Sequence, residues 1–190
     1  MIRRILLLSL LACPFFMTAQ QKKSTKKLEE QVRKAKEDAA ANEKQQPTKP
    51  AATPGAKLPP FQFVTHEGPR MTNQNLLPDQ PLLLVLFNPM CDHCQKVAIT
   101  VKENIAKFKN MNILFVCGMN PAVEIPNFIQ STGLENYPMI KIVASPEEFM
   151  NQIFESKGIP QIMMYNKDLI LQKTFYESID VDKALMYLKK

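Results

Sequence analysis

Tryptophan is absent from this chain of 190 residues, glycine occurs only five times and histidine only twice. So few glycines exclude a collagen-like repeat, and no heptad pattern or internal period supports a coiled coil or a solenoid. No apolar stretch reaches the roughly 20 residues that a stable bilayer-spanning helix needs, which excludes a multi-span membrane protein. A basic surface on the folded part is also lacking, although the formal net charge is +6. Arg3 and Arg4 supply +2, and residues 20–57 carry ten Lys/Arg against five Asp/Glu. Residues 58–190 hold 12 basic and 13 acidic residues. The positive balance therefore sits outside the folded part, and a nucleic-acid-binding domain is not expected.

What is present begins with a targeting signal. Met1-Ile2-Arg3-Arg4 is a short positive region, and Ile5 to Met17 is an apolar run interrupted by Pro14. At about 13 residues the run suits an export signal. Cleavage after Ala19 makes residues 1–19 the signal peptide and Gln20 the first mature residue. A second reading is a lipoprotein signal, because Leu10-Leu11-Ala12-Cys13 resembles a lipobox and would leave Cys13 as a lipidated anchor. Against it, Pro14-Phe15-Phe16-Met17 continues the apolar run. An uncleaved anchor is the third reading, and all three place the domain outside the cytoplasm, in a periplasmic compartment where disulfide chemistry proceeds.

Residues 20–57 are rich in Lys, Gln, Glu and Ala, then in Pro, with Leu28 and Val32 the only large apolar residues. Such a stretch buries too little surface to offset ordering entropy and reads as a tether. Prolines at 47, 50, 54, 59 and 60 predict an extended spacer in its second half. Its lysines suit a position near anionic lipid headgroups.

From residue 58 the pattern alternates between strand and helix signals, which predicts one α/β domain over 58–190 with a single central sheet. Phe61–Thr65 reads as an edge strand, and Pro81–Phe87 as a strand covered on both faces. A helix is predicted from Cys91 or Asp92 to Phe108, a central strand over Asn112–Cys117, and a helix over Ile125–Thr132 closed by Gly133. Further strands are predicted over Met139–Val143, Gln161–Tyr165 and Leu169–Phe175, with helical turns over Pro146–Phe154 and a final helix over Val181–Leu188.

Of the four cysteines, Cys91 and Cys94 alone are close enough in sequence to act together. Cys91-Asp92-His93-Cys94 follows a buried strand and opens a helix, where unpaired N–H groups and the positive end of the dipole favour a thiolate. The spacing lets the second thiol reach a disulfide formed on the first. Half of a zinc site is the competing use of this motif, but only Cys117 and His66 remain in the domain as further Cys or His ligands, so no metal is expected. Cys117 itself reads as a small buried hydrophobe.

Phe87-Asn88-Pro89-Met90-Cys91-Asp92-His93-Cys94 at a strand-to-helix junction, followed some 65 residues later by Gly158-Ile159-Pro160 before another strand, resembles the thioredoxin-like superfamily. The resemblance is strongest to its exported TlpA-like thiol-disulfide oxidoreductases and covers about residues 60–190. It implies a three-layer sandwich with a central mixed sheet. It also implies a redox-active Cys91–Cys94 disulfide with no other cofactor, Cys91 as nucleophile and Cys94 as resolving thiol. Pro160 would be a cis proline and Ile159 the substrate-contacting residue. His93, placed as in strongly oxidising relatives, would tune the couple, with Asp92 opposing it. The expected partners are dithiols or disulfides of exported proteins, plus a membrane electron donor or acceptor for recycling, with reduction favoured over oxidation. The alternative is a non-catalytic binding module with a static disulfide. Two positions depart from the family: Met90 stands where an aromatic residue usually precedes the first cysteine, and Val85 where many relatives carry a buried acid. Glu124 is the candidate substitute for that acid.

Overall fold

Five consecutive apolar residues, Leu82–Leu86, form strand β3, and all five are buried. A computed structural model describes residues 51, 53–65, 68–155 and 157–188. Residues 1–50, and with them the expected signal, Cys13 and most of the expected tether, lie outside the described residues, as does His66. Successive side chains of a strand point to opposite faces. Leu83 and Val85, with Phe87 beyond the strand end, join one core cluster, whereas Leu82, Leu84 and Leu86 join another. A run without polar residues is thus what a strand needs when both faces are covered.

Around β3 lie β1 (Gln62–Thr65), β2 (Arg70–Thr72), β4 (Asn112–Gly118), β5 (Ile140–Ser145), β6 (Gln161–Tyr165) and β7 (Leu171–Tyr176). The sheet order is β2-β1-β5-β4-β3-β6-β7. β3 runs parallel to β4 and antiparallel to β6, so the sheet is mixed. Helices α1 (Asp92–Glu103), α2 (Ile125–Thr132) and α4 (Val181–Met186) contribute Val97, Phe128 and Ala184 to the cluster on one face. The other face is covered by α3 (Glu147–Ile153) and the segment leading into β1.

Local sequence explains the helices. α1 buries Cys94, Val97, Ala98 and Val101, the spacing of one helical face. α2 stops at Gly133, which takes the left-handed conformation (φ 66°) that glycine adopts without a Cβ penalty. Asp180 caps α4 by accepting the Lys183 N–H at 3.1 Å.

Three expectations need correction. β1 is not the edge strand, because three-residue β2 pairs outside it and β1 also pairs with β5. The extended spacer expected through Lys57 ends sooner. Ala51 is buried, its N–H donates to Ile153 O at 2.8 Å, and Tyr165 Oη donates to its carbonyl at 2.9 Å. Gly55 N–H donates to Leu171 O, Leu171 N–H to Ala56 O and Leu58 N–H to Leu169 O, each at 2.8 Å. This strap is held by backbone groups and small side chains, which a hydrophobicity pattern does not register. The long helix expected to Phe108 also breaks at Asn104, continuing as a 3-10 turn over Ile105–Phe108 that still buries Phe108.

Candidate active site

The site hangs from the end of β3. Phe87 is buried with its ring 4.6 Å from that of Phe128 and 5.6 Å from that of Phe115, which fixes where the chain leaves the sheet. Asn88 then builds the turn: its Oδ1 accepts the Met90 N–H at 2.9 Å, and its carbonyl accepts the Cys91 N–H at 3.0 Å. Such a side-chain turn is what Asn favours before proline. Cys91 is the N-cap of α1 in an extended conformation, and its carbonyl accepts the Gln95 N–H at 3.0 Å. Gln95 Nε2 reaches back to Pro89 O at 3.2 Å and closes the loop.

The two thiols are unequal. Cys91 is half-buried, whereas Cys94, one turn into α1, has no exposed surface. Both are free thiols in the structure. Burial pushes the Cys94 thiol up to about 12; the Asn88 N–H, 3.5 Å from its Sγ, acts in the opposite direction, and the adjacent Cys91 side chain raises it further through a hydrogen bond and its charge. The ionisable neighbour of Cys94 is therefore Cys91 itself. Val85 is fully buried in β3 and offers no proton acceptor, and the Glu124 carboxylate is held by Asn127 Nδ2 at 2.7 Å.

His93 and Asp92 are both exposed on the first turn of α1. The Ile159–Pro160 peptide bond is cis, Pro160 is buried, and Ile159 is 43% exposed. Met90, just before Cys91, is 64% exposed. The structure brings these two apolar side chains to one groove of about 570 Å³, which Asn120 and Glu147 also line. Those last two residues had no motif to announce them; only the parallel register of β4 and β5, with Gly118 opposite Ser145, places the segments that follow them side by side. Cys117 is fully buried in β4 in the same core cluster as Cys94, and its thiol is likewise pushed up to about 12 by burial. Among the described residues no group of three or more His, Cys, Asp or Glu side chains is placed to hold a metal ion.

No family model matches the chain. Protein TlpB of Flavobacterium psychrophilum is 35% identical over 81 residues, which are 42% of this chain and 21% of that protein. The match thus spans about a fifth of the length of that curated relative. Among solved structures, the thioredoxin domain of a thiol-disulfide oxidoreductase from Bacteroides vulgatus superposes with a TM-score of 0.58 at 15% identity, covering 72% of this chain and 96% of that one. A secreted Mycobacterium tuberculosis disulfide oxidoreductase, homologous to E. coli DsbE, gives a TM-score of 0.56 at 13% identity, covering 68% and 94%. With the strand order and the helices on both faces of the mixed sheet, these likenesses establish that the chain has the thioredoxin-like fold.

Proposed function

We propose that the protein is a TlpA-like thiol-disulfide oxidoreductase acting on other exported proteins, reducing them in preference to oxidising them. The observation that carries this reading is the inequality of the pair. One thiol is reachable at a helix N-terminus, and its partner is enclosed one turn behind. In the reducing direction the Cys91 thiolate attacks one sulfur of a substrate disulfide, forming a mixed disulfide and expelling the other substrate sulfur as a thiolate. Cys94 then loses its proton and attacks the Cys91 sulfur. The Cys91–Cys94 bond forms, the mixed disulfide breaks, and the second substrate sulfur leaves. The two thiol protons of the protein end on the two substrate sulfurs, and two electrons pass to the substrate.

In this reading Ile159 lies against the substrate chain beside Pro160, and His93 tunes the thiolate from the helix start. A membrane electron donor returns the protein disulfide to the dithiol. Residues 1–19 direct export to the periplasm, with lipidation at Cys13 as the anchored variant of the same reading, and residues 20–50 form the tether.

The test is thiol trapping of the full chain equilibrated in graded redox buffers, with Cys94→Ser used to capture mixed disulfides. A couple that titrates between about −270 and −120 mV is expected, the range of working dithiol catalysts. A pair that stays oxidised throughout, with no partner trapped by the variant, would favour a binding module with a static disulfide.

A further inference from the structure

Among the described residues lining the groove that contains Met90, the chain neighbour of Cys91, Glu147 is the one that carries a charge. The rest of the described wall is apolar or amide in character and includes Met90, Ile159 and Phe154. One hydrogen bond from outside α3 holds the carboxylate. Asn120 Nδ2 donates to Glu147 Oε1 at 3.2 Å. Gly118 lies against the same side chain: a Cβ there would stand 3.4 Å from both Cγ and Oε1 of Glu147, an ordinary contact distance. Asp92, next to Cys91 in the chain and two residues after Met90, is an exposed second carboxylate. Lys157, two residues before Ile159, has Glu155 Oε2 at 3.9 Å from its Nζ.

Resting on the oxidoreductase reading above, we propose that this groove selects substrate segments that carry a lysine or arginine close to the reacting cysteine, with Glu147 as the specificity-determining residue. An extended segment whose sulfur faces Cys91 lays its neighbouring side chains along Met90 and Ile159. A cationic side chain on it then meets a carboxylate already fixed by Asn120, so little side-chain ordering remains to oppose the contact. Complementary charge at a partly exposed site acts on encounter and choice of partner more than on raw affinity.

Two cyclic-disulfide peptides of equal length test this, one with lysines and one with glutamates flanking its cysteines, together with copies in which serine replaces cysteine. The reduced full chain should reduce the lysine peptide about two- to fivefold faster at low salt, the size expected of one exposed charge pair. Glu147→Gln should abolish the preference, Glu147→Lys should invert it, and about 1 M salt should erase it in the native chain. Binding of the serine copies, followed by fluorescence anisotropy, reads the groove without the chemistry. If neither disulfide peptide is reduced while the lysine serine copy still binds in a Glu147-dependent way, the oxidoreductase reading fails and the groove assignment stands. Equal binding of the two serine copies, or a lysine preference unchanged in Glu147→Gln, overturns the assignment.

Discussion

The Asn88 backbone N–H points at the Cys94 sulfur from 3.5 Å, the one interaction that favours the ionised form of that thiol against its burial. Asn88 holds this amide in place with its two oxygens, since Oδ1 accepts the Met90 N–H and the carbonyl accepts the Cys91 N–H. Replacing Asn88 with Ala leaves the backbone donor but removes the side-chain turn that orients it. Resolution of a Cys91 mixed disulfide should slow several-fold, and stability should fall by about 1 kcal/mol, the net worth of one hydrogen bond. Asn88→Ser retains a neutral acceptor for the turn and should restore most of the rate. Quenched-flow release of a trapped peptide checks the rate and urea unfolding checks the stability.

Cys94 must lose a proton before it can resolve anything, and it sits at about 12 with no carboxylate replacing Val85. The resolving step should therefore accelerate about tenfold per pH unit between about pH 7 and pH 9, because only the thiolate attacks. Single-turnover release from a preformed mixed disulfide measures this. A plateau within that window would show that a proton acceptor serves Cys94.

Both buried thiols also make stability depend on pH. Cys94 and Cys117 are each raised to about 12, whereas in the unfolded chain a thiol ionises near 8.5. Above that value the unfolded state binds fewer protons than the folded state, so stability is fully retained below about pH 8.5 and declines as pH rises toward 12. The ceiling on the slope is about 1.4 kcal/mol per pH unit for each thiol. Forming the Cys91–Cys94 disulfide removes the Cys94 share, and Cys117→Ala removes the other. Urea unfolding between about pH 8 and pH 10 should show the steepest slope for the reduced chain, about half of it for the oxidised chain and for reduced Cys117→Ala alike, and none of it for oxidised Cys117→Ala, while Cys117→Ala leaves exchange intact.

The strap gives a test remote from the thiols. Tyr165 Oη donates to Ala51 O at 2.9 Å in a fully buried setting. Tyr165→Phe leaves that carbonyl without its donor and should cost about 1–3 kcal/mol. Trypsin cleavage after Lys57, which bridges to Ile170 on the sheet side, should become faster as the strap opens more often. Mass spectrometry of timed digests reads this, and the exchange rate should not change.

How much of this was legible before the structure depended on what kind of force holds each element. β6 runs over Gln161–Tyr165 and α2 over Ile125–Thr132, as their patterns predict, because apolar side chains and one glycine define them. β2 escaped notice because three residues with a single buried side chain, Met71, carry no periodicity. The strap escaped because Gly55 and Ala56 meet the sheet through their main chain, where composition reads only a spacer. At the site, the cysteine motif and Ile159-Pro160 were visible as motifs. Asn88 stood in the motif without a role of its own, although its amide and side chain organise the pair. Glu147 and Asn120 were invisible, since they meet only once strand register has aligned two distant chain segments.

The alternation within β3 has a consequence for which changes in length this chain can accept. Leu83, Val85 and Phe87 face one core and Leu82, Leu84 and Leu86 the other, and Asn88 follows directly. Inserting or deleting one residue within Leu82–Phe87 would exchange the two sets of side chains between faces and turn the exit of the chain, carrying Asn88 and Cys91 away from the rest of the site. Insertions in the 166–169 turn, which joins β6 to β7 at the other end of β6 from Pro160, would leave that frame intact. The reading frame of a six-residue apolar stretch with no reactive atom thus decides where the sulfur chemistry can occur.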